Sequence, residues 1–186
     1  MAVPALPADD SAGNDWTAAK VNAIYDHLQW HRDTAPVFKG LAWDGTQGDG
    51  VPGDIATSTA TTLGFGTGGS FENTPIINVG GWTVNAADAD PESLVVPESG
   101  LYVVSVFCNW SADSVGTRST QLLLNGSGVA GGRVAGSSSP TGSTMQNLTT
   151  VLDLAANDEL DVSANQGSGS TLAATVYLTA HWIRST

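Results

Sequence analysis

The chain has 186 residues, with eighteen Asp plus Glu against six Lys plus Arg, a formal net charge of −12. Charged residues make up only 13 % of it, and Gly, Ser and Thr together about a third, which excludes a helical bundle and favours short strands joined by many turns. The acidic excess repels a phosphate backbone and excludes nucleic acid, no run reaches the roughly 18 apolar residues of a membrane span, and a single cysteine, Cys108, permits neither an internal disulfide nor a cysteine-built zinc site.

Met1 to Asn14 forms an arm with Pro4, Pro7 and acidic residues but no hydrophobic periodicity, so it is expected to be disordered unless a partner holds it. Its first residues lack the basic and apolar regions of a signal peptide. A helix is predicted over Asp15–Asp33. Val21, Ile24, Tyr25, Leu28 and His31 recur at helical spacing, Asp15 or Thr17 can cap the start, and Pro36 stops the helix. At 100° per residue a second apolar stripe runs through Trp16, Ala19, Ala23 and Trp30. One stripe can dock on the parent domain and leave the other for a partner; the tryptophan stripe is the expected partner face, because exposed tryptophans are rare outside binding surfaces.

Gly40 to Gly69 is rich in Gly, Asp, Ser and Thr and reads as a linker or wide loops with one strand near Asp54–Thr62. From about Ser70 onward strand signals recur every ten to fifteen residues. They cover Pro75–Val84, Leu94–Val96, Leu101–Trp110, Arg118–Asn125, Val129–Val134, Met145–Leu154, Glu159–Asn165 and Leu172–Arg184, separated by turn residues such as Asn125-Gly126 and Asn157-Asp158. The organisation expected is therefore an attachment segment at 1–39, a linker at 40–69 and a β domain at 70–186.

Two of these strands are apolar on both faces. In Leu101–Trp110, Tyr102, Val104, Val106, Cys108 and Trp110 alternate with Leu101, Val103 and Phe107; in the last strand Val176, Leu178 and Ala180 alternate with Tyr177, Thr179 and His181. A sandwich strand has one face in the core, so a second apolar face needs another sheet or another subunit. Leu101, Val103, Phe107 and Tyr177 are accordingly the candidate contact residues between subunits.

The run Val96-Pro-Glu-Ser-Gly-Leu-Tyr-Val-Val-Ser-Val106 resembles a strand of the complement globular-head and tumour-necrosis-factor jelly roll. Leu152-Asp-Leu-Ala-Ala-Asn-Asp-Glu-Leu-Asp-Val162 resembles its late strand, turn and strand, with Asn157 where a glycine is usual. Gly116-Thr-Arg118 followed by Asn125-Gly126, together with the segment Trp16 to Asp26, is similar to tailed-bacteriophage virion proteins built on that jelly roll. The resemblance spans about residues 15–38 and 75–184. It implies a mainly β chain, an antiparallel jelly-roll sandwich preceded by an N-terminal arm and one α-helix, assembled as a homotrimer on a virion. Such a protein is a head decoration, head fibre or minor tail protein, made in the host cytoplasm. Its implied partners are itself and the major capsid protein or a tail protein; the apolar stripe and the tryptophans outside the jelly roll make Trp16, Ala19, Ala23, Trp30 and Trp43 the expected attachment residues. A carbohydrate- or receptor-binding module at a tail tip is the alternative, with a host-surface glycan at Trp110 and the Gly136–Gly142 loop.

No catalytic chemistry is legible. His27 and His31 have the i, i+4 spacing of a zinc pair, but Leu28 stands where a hydrolytic site needs Glu, and no third ligand is evident. Asp44, Asp49 and Asp54 form an oxygen-rich run that could hold calcium, yet it lacks the EF-hand's terminal acid and does not repeat. Cys108 alternates with core valines and reads as a small hydrophobe. No catalytic residues, metal ligands or cofactors are expected.

Overall fold

The computed structural model describes residues 18–42, 53–65, 75–85, 93–139 and 142–185. It opens on helix α1 (Ala18–Asp33), followed by β1 (Val37–Ala42), β2 (Gly53–Ile55), β3 (Thr61–Leu63), β4 (Pro75–Val79), β5 (Thr83–Val84) and β6 (Leu94–Val95). The long strands come next: β7 (Gly100–Trp110), β8 (Thr117–Leu124), β9 (Ser127–Ser137), β10 (Thr144–Leu154), β11 (Glu159–Gln166) and β12 (Leu172–Arg184).

The strands form two antiparallel sheets, and the two-residue alternation along each strand gives every sheet two distinct faces. One runs β10-β7-β12-β1-β4, with β2 also on β12; the other runs β5-β6-β11-β8-β9, with β3 also on β11. Each sheet turns one face inward. Along β7 the buried residues are Tyr102, Val104, Val106, Cys108 and Trp110, and along β12 they are Val176, Leu178, Ala180 and Trp182. Between the sheets lies an aromatic cluster. Phe38 meets the rings of Phe65 and Trp82 with centroids 5.6 and 5.7 Å apart, and Trp82 meets Tyr102 at 5.6 Å. Tyr102 keeps its hydroxyl satisfied by donating to the Glu98 carbonyl at 2.6 Å, and desolvation drives its phenol well above the usual range.

Three expectations change. The one strand expected near Asp54–Thr62 is two short ones, because β2 pairs with β12 in the first sheet and β3 with β11 in the second. β1 was not anticipated at all: its register with β12 runs from Val37↔His181 to Ala42↔Val176, and it carries Phe38, which is fully buried. The single strand predicted over Pro75–Val84 is two, because β4 joins the first sheet and β5 the second.

Helix α1 ends where Pro36 forces it to. Thr34 and Ala35 both donate backbone N–H groups to the Trp30 carbonyl, and the Thr34 hydroxyl adds a 2.8 Å bond to the same oxygen.

Candidate assembly surface

The residues opposite the core-facing ones on β7 and β12 point out of the sandwich, and the register places them in rows. One row is Val151–Val103–His181–Val37–Val79; the next is Thr149–Ser105–Thr179–Lys39–Ile77; a third is Asn147–Phe107–Tyr177–Leu41. Strand alternation is the cause: β7 and β12 are flanked by strands on both sides, so their outward residues occupy the middle of the sheet. Leu101, Val103 and Tyr177 are half-buried there, and Phe107 is exposed. Val151 and Met145 of β10 are 57 % and 67 % exposed, and Ile77 of β4 is 43 % exposed. A hydroxyl pair, Ser105 and Thr149 at 2.8 Å, is set among these apolar groups.

Sequence reasoning found the Leu101, Val103, Phe107 and Tyr177 part of this surface. It missed Met145, Val151 and Ile77. Their alternation was visible in the sequence, but which strands flank β7 and β1 was not.

The helix reverses the expected choice of faces. Trp30 is not free for a partner: it is buried, with its ring edge-on to Trp182 at a centroid distance of 5.1 Å. Along the same side Ala23 is half-buried and Ala19 exposed, so α1 is seated by its C-terminal end. Val21, Tyr25 and Leu28 face water instead, at 48, 58 and 61 % exposure. Both faces are apolar, and what decided between them is Trp182 at the end of β12, which needs a cover. Trp16 and Trp43 lie outside the described residues.

A polar knot fills the core near Trp110. Gln146 Oε1 accepts from Trp110 Nε1 at 3.0 Å and from the Thr120 hydroxyl at 2.8 Å, while Gln146 Nε2 donates to the Arg118 carbonyl at 2.9 Å. Arg118 is fully buried. Its Nη1 donates to the carbonyls of Val115 and Thr117, and its Nη2 lies 3.7 Å from Asp113 Oδ1. Arg118 stands in the Gly116-Thr-Arg118 motif read from the sequence, but its burial was not foreseen. Trp110 is likewise fully buried, so it cannot stack on a sugar as the glycan alternative requires. Cys108 is buried too, its thiol pushed up to about 12, chiefly by desolvation and against the lowering effect of a hydrogen bond with Thr120. A thiol so protonated is a poor nucleophile.

Among the described residues no three His, Cys, Asp or Glu side chains gather as a metal site, and no helix is long and apolar enough to cross a membrane. The His31 side chain, Asp44, Asp49 and the Asp54 side chain lie outside the described residues. The arrangement offers surfaces for association.

No family model matches the chain, and no curated protein matches it. Solved structures do. The globular domain of a zebrafish complement 1qA protein superposes with a TM-score of 0.51 at 11 % identity, covering 81 % of this chain and 99 % of that one. The Eiger TNF of S. frugiperda gives 0.52 at 15 %, covering 81 % and 95 %. The PRD1 vertex protein P5 gives 0.55 at 18 %, covering 81 % and 74 %. At these identities the likeness establishes the fold: a jelly-roll sandwich, as the motifs implied.

Proposed function

We propose that the chain is a structural protein of a tailed-bacteriophage virion, a jelly roll that forms a homotrimer through the outward face of the β10-β7-β12-β1-β4 sheet. Its N-terminal segment fixes it to the major capsid protein or to a tail protein. The observation that carries this reading is apolar side chains in the middle of a sheet's outer face, where Val103, Phe107 and Tyr177 stand on strands flanked on both sides. Apolar side chains gathered on an outer face mark association surfaces on soluble proteins, and a face that meets a different surface of the next copy closes into a ring, here of three, when the rotation between copies closes. The likeness to a vertex protein and the Gly116-to-Gly126 motif support a place on a particle.

The helix supplies the attachment face through Val21, Tyr25 and Leu28, spaced four and three residues apart on one side. This face takes the part that the sequence assigned to Trp30, which the sandwich uses itself.

Light scattering on the purified chain tests the assembly. A trimer is expected, converting to a folded monomer in the double variant Val103→Asp and Phe107→Asp; a wild-type monomer at micromolar concentration would end the reading. Attachment is tested by adding purified protein to particles that lack it. Tyr25→Ala with Leu28→Ala should abolish binding and keep the trimer, whereas full occupancy would place attachment elsewhere.

A further inference from the structure

We propose that Asn125–Gly126 is a self-modifying site, a deamidation switch held shut by the neighbouring β10–β11 turn, whose conversion loosens the end of the sandwich where α1 is seated. Asn125 and Gly126 form the tip of the β8–β9 hairpin, with φ of +50° and +72°, the geometry of a two-residue primed turn. A glycine leaves the backbone nitrogen after asparagine unshielded, and nothing lies within 4 Å of where a Gly126 Cβ would stand. The reactive carboxamide, however, is held on the other turn. Asn125 Nδ2 donates to Asp158 Oδ1 at 2.9 Å, and Asn125 Oδ1 accepts from the Glu159 N–H at 2.9 Å. The backbone N–H of Asn125 adds a 2.8 Å bond to the Glu159 carbonyl. Cyclisation must break both side-chain bonds, one of them to a carboxylate, before Cγ can reach the Gly126 nitrogen.

The chemistry needs only water. The Gly126 nitrogen loses its proton to solvent and bonds to Asn125 Cγ, Nδ2 takes a proton from solvent, the Cγ–Nδ2 bond breaks, and ammonia leaves. Water then opens the resulting succinimide at either carbonyl, leaving aspartate or isoaspartate at position 125. The donor that faced Asp158 becomes a carboxylate oxygen, so two like charges meet where a hydrogen bond stood.

Asp158 does more than hold Asn125. Its Oδ2 accepts from the Ala155 N–H at 2.8 Å, and the adjacent Ala156 N–H donates to Ser99 Oγ at 2.9 Å. The Ser99 carbonyl in turn lies 3.4 Å from Trp182 Nε1, and Trp182 carries Trp30. The hairpin tip is thereby connected, contact by contact, to the seat of the helix.

The test incubates the full chain in mildly alkaline buffer and follows position 125 by peptide mass mapping with isoaspartate detection. Native wild type, native Asp158→Ala and wild type in denaturant are compared. The denatured chain should convert fastest and native wild type slowest. Asp158→Ala should run at least about tenfold faster than native wild type, the effect of losing one charge-assisted hydrogen bond. Equal rates in the two native samples overturn the clasp, and no conversion in denaturant overturns the site. Asn125→Asp reads the consequence without altering Asp158. Trypsin should cut α1 at Lys20 faster in that variant than in wild type, and an unchanged rate overturns the link to the helix. Should Asp158→Ala fail to fold, the native-versus-denatured comparison and Asn125→Asp still decide.

Discussion

Replacing Trp30 with alanine tests how α1 is held. Trp30 is 6 % exposed, and its ring meets Trp182 edge-on at 5.1 Å, while Val21, Tyr25 and Leu28 of the same helix face water. Among the described side chains of the helix, Trp30 is the one that is buried. Truncating a buried tryptophan costs about 3–5 kcal/mol, from lost burial and the cavity left behind, and the edge-on pair accounts for about 0.5–1.5 kcal/mol of that loss. For a chain of this size each kcal/mol lowers the melting temperature by about 2–4 °C, so Trp30→Ala should melt about 6–20 °C below wild type. Leu28→Ala, at 61 % exposure, is the matched control and should fall within about 0.5 kcal/mol of wild type. Thermal melts followed by circular dichroism read the shift, and tryptophan fluorescence reads the uncovering of Trp182. Should Trp30→Ala and Leu28→Ala melt together within the control's margin, the helix is not seated by Trp30 and the reversal of its faces is wrong.

Cys108 should resist a thiol reagent near neutral pH and react at once in denaturant. Because its native-state value of about 12 lies above the ordinary 9.0, the native fold holds this proton more tightly; that contribution to stability is intact below about pH 9 and fades as pH rises toward 12, measurable as a falling urea midpoint. Gln146→Leu should lose about 2–6 kcal/mol in urea titration, since it strands the buried Trp110 indole N–H and Thr120 hydroxyl, each costing about 1–3 kcal/mol. Gly116→Ala should also destabilise the fold: φ there is +80°, and an added Cβ would run into the Gly167 carbonyl. A wild-type melt for that variant would mean the β7–β8 loop sits elsewhere.

The sequence by itself determined the β class, most of the long strands, and which side of β7 enters the core, because alternation is a local property that survives whatever the strand packs against. It also determined the turns at Asn125-Gly126 and Asn157, where positive φ calls for residues of that type. The outward apolar face of β7 and β12 was legible for the same reason. Tertiary structure decided the rest. Val37–Ala42 is a strand because β12, more than 130 residues later, offers it an open edge, and a six-residue stretch containing Lys39 and Gly40 carries too weak a local signal to announce that. Arg118 is buried because the β7–β8 loop folds over it and supplies carbonyls, a match no spacing rule encodes. The helix is the sharpest case. Two apolar stripes are equally readable in one dimension, and hydrophobicity alone does not choose between them. The choice fell to Trp182, whose ring at the end of β12 is covered by Trp30, leaving Val21, Tyr25 and Leu28 to the solvent.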